Sequence, residues 1–100
     1  MPTAYITAPR DDAQELADRL VTERHAACVN ALECRSVYRW DDDVVRDDEA
    51  VLFAKTTDAA WDDLVAFVEA EHPYDVPCIE RFDESFVEPG FEAWVGESVE

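Results

Sequence analysis

One hundred residues with 48% apolar content fit a single globular domain and exclude a disordered acidic tail. Twenty-five acidic side chains against eight basic ones leave a net charge of -17, which repels nucleic-acid phosphates and anionic lipid and argues against both as partners. No apolar run reaches bilayer-spanning length and the opening MPTAYITAPR carries no basic leader, so the expected location is the cytoplasm.

TAYITA (3–8) is short, apolar and β-prone, and Pro9 stops it. Asp11 followed by Gln14 resembles a capping box. Ala13, Leu16, Ala17, Leu20 and Val21 then recur at helical spacing, which predicts a helix to about His25. Over 27–40 the period changes to two. Cys28, Asn30, Leu32, Cys34, Ser36, Tyr38 and Trp40 share one face, and Val29, Ala31, Glu33, Arg35, Val37 and Arg39 share the other. A strand of that length predicts a bulge or bend part-way. DDDVVRDD (41–48) is expected as a turn and EAVLFAKT (49–56) as the returning strand of an extended hairpin. Thr57 or Asp58 is placed to cap a second helix with the apolar stripe Trp61, Leu64, Val65 and Val68, widened by Phe67. That helix must end near His72, because Pro73 disfavours helical geometry in the residue before it. VPCIERF (76–82) reads as a fourth strand and FEAWVGES (91–98) as a short closing helix.

The order β-α-β-β-α-β plus a terminal helix is the ferredoxin-like pattern of an α+β domain over residues 1–100. Two helices cover one face of a four-stranded antiparallel sheet and leave the other bare. One chain has too little left to shield that face, so partner subunits are expected on it. Tyr38 and Trp40 lie at the far end of the projecting hairpin, where an aromatic pair fits an association surface.

The acids are dispersed along the chain and Lys55 is the only lysine. Such a coat suits a salt-filled, halophile-like cytoplasm, since the Debye length falls to ~3 Å at 1 M salt and self-repulsion is screened. The fold is expected to loosen in dilute buffer. Keeping one ammonium in so acidic a chain points to an ion pair for Lys55, within the chain or across a subunit boundary, and Glu33, Arg35 and Arg39 invite the same pairing. Cys28, Cys34 and Cys78 form an odd set without CxxC spacing, which excludes a disulfide framework and a zinc site built on two cysteine pairs. Gly90 and Gly96 are the only glycines, so no glycine-rich phosphate loop exists and no organic cofactor is expected. Carboxylates are too numerous to single out an acid–base pair, and an enzyme is not expected.

Six segments in order and spacing resemble the CutA family of divalent-cation tolerance proteins: TAP (7–9), ERHAACVN (23–30), SVYRW (36–40), EAVLFAKT (49–56), HPYDVP (72–77) and FEAWVGES (91–98). The resemblance implies a ferredoxin-like homotrimer, binding of copper or other divalent cations, and a role in metal tolerance. The family's architecture is similar to that of PII signalling proteins, which implies small ligands in clefts between subunits. Some bacterial relatives bind copper through a cysteine just before TAP and a His-His pair just before Pro-Tyr. Here those positions hold Ile6 and Glu71-His72, so only His72 remains as a nitrogen donor. The turn after Trp40 normally carries a glycine, replaced here by the Asp-rich stretch. Cys28 and Tyr74 match residues typical of the family.

His72 is therefore the leading metal donor, since imidazole binds copper and zinc, and Glu71 beside it offers an oxygen. The competing reading is that His72 ends the helix, with its ring near the C-terminal dipole. Cys78 could approach that ring and supply soft sulfur to copper, ahead of zinc; a small buried hydrophobe is the alternative for Cys78 and for Cys28. Two functions emerge: a divalent-cation-binding homotrimer serving metal tolerance, or a PII-like scaffold holding a small ligand or protein at subunit interfaces. Thiol chemistry at Cys78 or Cys28 stands third.

Overall fold

The computed structural model describes residues 1–99. The elements are β1 (Pro2–Pro9), α1 (Arg10–Thr22), β2 (Cys28–Trp40), β3 (Asp43–Lys55), α2 (Trp61–Glu71), β4 (Ile79–Asp83) and α3 (Pro89–Ser98). The sheet order is β2-β3-β1-β4 with antiparallel pairing throughout, which is the ferredoxin-like α+β fold expected. Ala4, Ile6 and Ala8 of β1 and Ala50, Leu52 and Ala54 of β3 lie on the helix-covered face, buried against Leu16 and Leu20 of α1 and Leu64 and Val68 of α2. Alanines on the two central strands let the helices approach closely, and the larger Ile6 and Leu52 fill the middle. Val95 and Val99 pack with Ala27 and Ala60 in a second, smaller cluster.

Several local expectations change. Helix α1 starts at Arg10 directly after β1, with Pro9 at its N-cap and no side-chain cap. Gln14 instead donates to Asp18 Oδ1 at 3.0 Å, one turn on, so there is no capping box. The helix stops at Thr22 because Arg24 turns left-handed (φ 63°), and the His25 and Ala26 amides both return to the Leu20 carbonyl. The hairpin turn is two residues long rather than eight. Asp41 and Asp42 both have positive φ (50° and 67°), the requirement of the tight turn whose twist matches the strands, and aspartate tolerates it. The register runs unbroken from Cys28 opposite Lys55 to Trp40 opposite Asp43, so the expected bulge is absent. Beyond the helices the hairpin is wet on both sides, and acids that look like turn residues can therefore stay in a strand.

Helix α2 begins at Trp61 with no side-chain cap. Thr57 pins the preceding turn, accepting from the Ala60 amide at 3.2 Å, while Asp58 pairs with Arg81. Strand β4 starts at Ile79, which leaves 76–78 as a loop beside the sheet. Helix α3 starts at Pro89, where Glu88 accepts from the Phe91 amide at 3.0 Å.

The hairpin makes the molecule long, 45 × 26 × 20 Å. Residues of the bare sheet face alternate with the core positions. Tyr5 packs on Phe53 and Phe82 there, with centroids 5.7 and 5.5 Å apart, and Leu32 and Phe82 remain 53% and 44% exposed. Lys55 sits over the Phe53 ring, 5.6 Å from its centroid, rather than in an ion pair with any described residue of its own chain. Arg10 lies 3.6 Å from Glu33, Arg35 faces Asp48 across the hairpin, and Arg39 donates to the Asp42 carbonyl.

Candidate ligand cleft

The segment HPYDVPC (72–78) folds as a locked corner. Pro73 ends α2, and His72 leaves the helix in an extended conformation with its side chain buried. Nε2 lies 2.8 Å from the Thr7 carbonyl of β1, and Nδ1 accepts from the Tyr74 amide at 3.1 Å. Only a ring with its proton on Nε2 satisfies both partners. The two bonds tie the corner to the central strand and carry the Tyr74 side chain back over the sheet.

There the Tyr74 hydroxyl donates to Glu49 Oε2 at 3.0 Å. Glu49 is only 3% exposed, although it stands on the same strand face as Val51 and Phe53. Burial, and then the bond to Glu49, push the Tyr74 phenol far above its usual range. Tyr38 reaches in from β2, donates to Asp47 Oδ2 at 2.5 Å, and its hydroxyl interacts with that of Tyr74. That hydrogen bond to Asp47, with a smaller contribution from burial, raises the Tyr38 phenol. Between hairpin and corner lies a cleft of about 530 Å³. Tyr38, Trp40 and Val37 form its hairpin wall, Tyr74, Asp75 and Val76 the opposite wall, and Thr7, Ser36, Glu49 and Cys78 the remainder.

The residues expected to hold metal do not gather, among the described residues, into a cluster of three or more donors. Both ring nitrogens of His72 are engaged by backbone, so the leading donor is a structural clamp in this geometry. Glu71 points away to Arg19, at 2.8 Å. Cys78 lines the cleft, and burial raises its thiol, with Thr7 opposing and Glu80 adding to the shift. Its Sγ donates to Glu80 Oε2 at 3.5 Å, so it is held as thiol rather than as thiolate. Cys28 opens β2 opposite Lys55, at the other end of the strand from Trp40. Among the described residues no group of three His, Cys, Asp or Glu side chains could hold a metal ion. The donor set does not fit a metal centre inside the chain.

Tyr38, Trp40 and Tyr74 come together in the cleft. Glu49 and Asp47 escaped the sequence reading, since both sat in an apparently ordinary acidic stretch. The signal was alternation: Glu49 falls in register with Val51 and Phe53, and a carboxylate in an apolar row needs a partner.

A four-stranded antiparallel sheet under two helices, with a long hairpin and a pocket along it, defines a small ferredoxin-like α+β protein. The chain belongs to the CutA family: the family described as CutA1 divalent ion tolerance protein matches residues 3–98. A divalent-cation tolerance protein CutA from Thermus thermophilus is 47% identical over 74 residues, covering 72% of each chain. The fold superposes on a crystal structure of CutA1 from Pyrococcus horikoshii with a TM-score of 0.95 and 33% identity, over 100% of this chain and 99% of that one. A structure described as PII-like protein CutA from Nostoc superposes at a TM-score of 0.94 with 26% identity, covering 98% and 97%.

Proposed function

We propose that the protein works as a homotrimer in the cell's response to divalent cations, and that it does so by holding a small ligand in the hairpin cleft rather than by coordinating metal through His72. The observation that carries this reading is the pairing of a preformed cleft with candidate donors of which His72, Glu71 and Cys78 are already engaged elsewhere. A site of this size with convergent polar groups suits a small molecule. The bare sheet face, with Leu32, Phe53 and Phe82, supports assembly, because an apolar surface of this kind is unfavourable in water. This reading assigns Arg35, Trp40 and Lys55 to contacts with neighbouring subunits. A cytoplasmic, salt-rich setting accompanies the reading.

Direct coordination of copper, or of zinc, by His72 with Glu71 or Cys78 is the second reading, favoured by the family's name alone. Calorimetric titration with Cu(II) and Zn(II), on the native protein and on His72→Ala, separates the two. Silence from both proteins is expected, whereas stoichiometric binding that His72→Ala abolishes would reverse the assignment. Light scattering in concentrated KCl is expected to report three chains per particle; a stable folded monomer would defeat the trimer.

A further inference from the structure

We infer that the hairpin cleft recognises an organic cation: an ammonium or guanidinium head carried on an apolar body. Three observations converge. Aromatic faces supply the walls, with Tyr38 and Trp40 on the hairpin and Tyr74 on the corner. Such faces attract a cation through the negative potential of their π-systems, more strongly where water is excluded. Two carboxylates, Glu49 and Asp75, also line the cleft, and no lysine or arginine does so among the described residues. Glu49 is almost fully buried, and the neutral Tyr74 hydroxyl is the partner that holds it. A hydrogen bond from a phenol stabilises that carboxylate without cancelling its charge. An entering cation would therefore meet an acid that is already desolvated and held in place.

The remaining surface sets the body of the ligand. Val76 is 75% exposed and Trp40 58% exposed, both at the rim, so an apolar body would cover side chains now facing water. An inorganic divalent ion fits poorly, because it needs three or more hard or soft donors and the described residues offer no such group. An anionic or phosphorylated ligand would meet two acids and no compensating base.

The inference deepens the small-ligand reading above, yet the cleft is formed within one chain, so assembly and binding can fail separately. The test uses the whole protein in molar KCl, where screening removes long-range attraction and leaves the desolvated contacts. Choline chloride and its neutral carbon isostere dimethylbutanol are titrated calorimetrically, with tryptophan fluorescence recorded in parallel. Choline is expected to bind saturably and at least about tenfold more tightly than the isostere, and benzyltrimethylammonium more tightly still. Glu49→Gln keeps a side chain that can accept from Tyr74 and should weaken choline about fivefold or more while leaving the isostere unchanged. Trp40→Ala should weaken both cations and abolish the fluorescence response. Equal affinity for choline and the isostere would overturn the inference, as would no saturable binding, including the case in which a neighbouring subunit already fills the cleft. Displacement of choline by one equivalent of Zn(II) would convert the cleft into a metal site. A trimer that ignores both cations would sink the cation assignment alone.

Discussion

The body under the helices and the hairpin beyond them are built from the same two strands by different rules. Within the body, β3 alternates buried Ala50, Leu52 and Ala54 with half-buried partners, and no charge intrudes on the helix-covered side. Toward its N-terminal end the same strand carries Asp43, Arg46, Asp47 and Asp48, and pairs there without a slip. Hydrophobic burial holds the first region. The second is held by cross-strand hydrogen bonds and a tight turn, with Val37, Trp40 and Val44 largely exposed in the single chain. The region with the weaker apolar signature is thus the one that lines the cleft.

The largest expected contrast is between Leu52→Ala and Val37→Ala. Leu52 is fully buried and its truncation should cost about 2–5 kcal/mol in urea unfolding at fixed KCl. Val37 is 61% exposed in the single chain and its truncation should change stability by less than about 0.5 kcal/mol. A comparable loss at Val37 would mean that a neighbouring subunit buries the hairpin.

Tyr74→Phe joins the two regions. It leaves the buried Glu49 without its phenolic donor, at a cost of about 1–3 kcal/mol by the same measurement. The variant also carries a pH signature. Folded Tyr74 keeps its proton above the pH at which an unfolded tyrosine, near pH 10, loses its own. The stabilisation is fully present below about pH 10 and declines as pH rises from there toward the folded value. Native protein should therefore lose stability over that alkaline range more steeply than Tyr74→Phe does.

Cys78 gives a smaller, kinetic effect. Because burial raises its thiol, its alkylation should be slower in the folded protein than after denaturation, with a pH midpoint above the usual thiol value of about 8.5. Rapid native labelling at neutral pH would restore the thiol reading. The smallest change is expected from Asp42→Gly. It relieves a left-handed residue (φ 67°) at the hairpin tip and should stabilise by less than about 1 kcal/mol.

Periodicity read from the sequence places all seven elements, because each must bury one face and the spacing of apolar residues records which. Pro73 likewise marks the end of α2, since the ring excludes helical geometry before it. The family resemblance was legible for the same reason: six short segments kept their order and spacing. The acidic arm of the hairpin was not legible, because a strand solvated on both sides has no apolar alternation to reveal it. Nor could the chain alone show that His72 would give both ring nitrogens to the backbone, or that Tyr74 would reach Glu49 across twenty-five residues. Those contacts depend on where β1, β3 and the corner meet in space. Local sequence determines which residues bury, whereas the assembly of distant strands decides which polar groups find each other and which line the cleft.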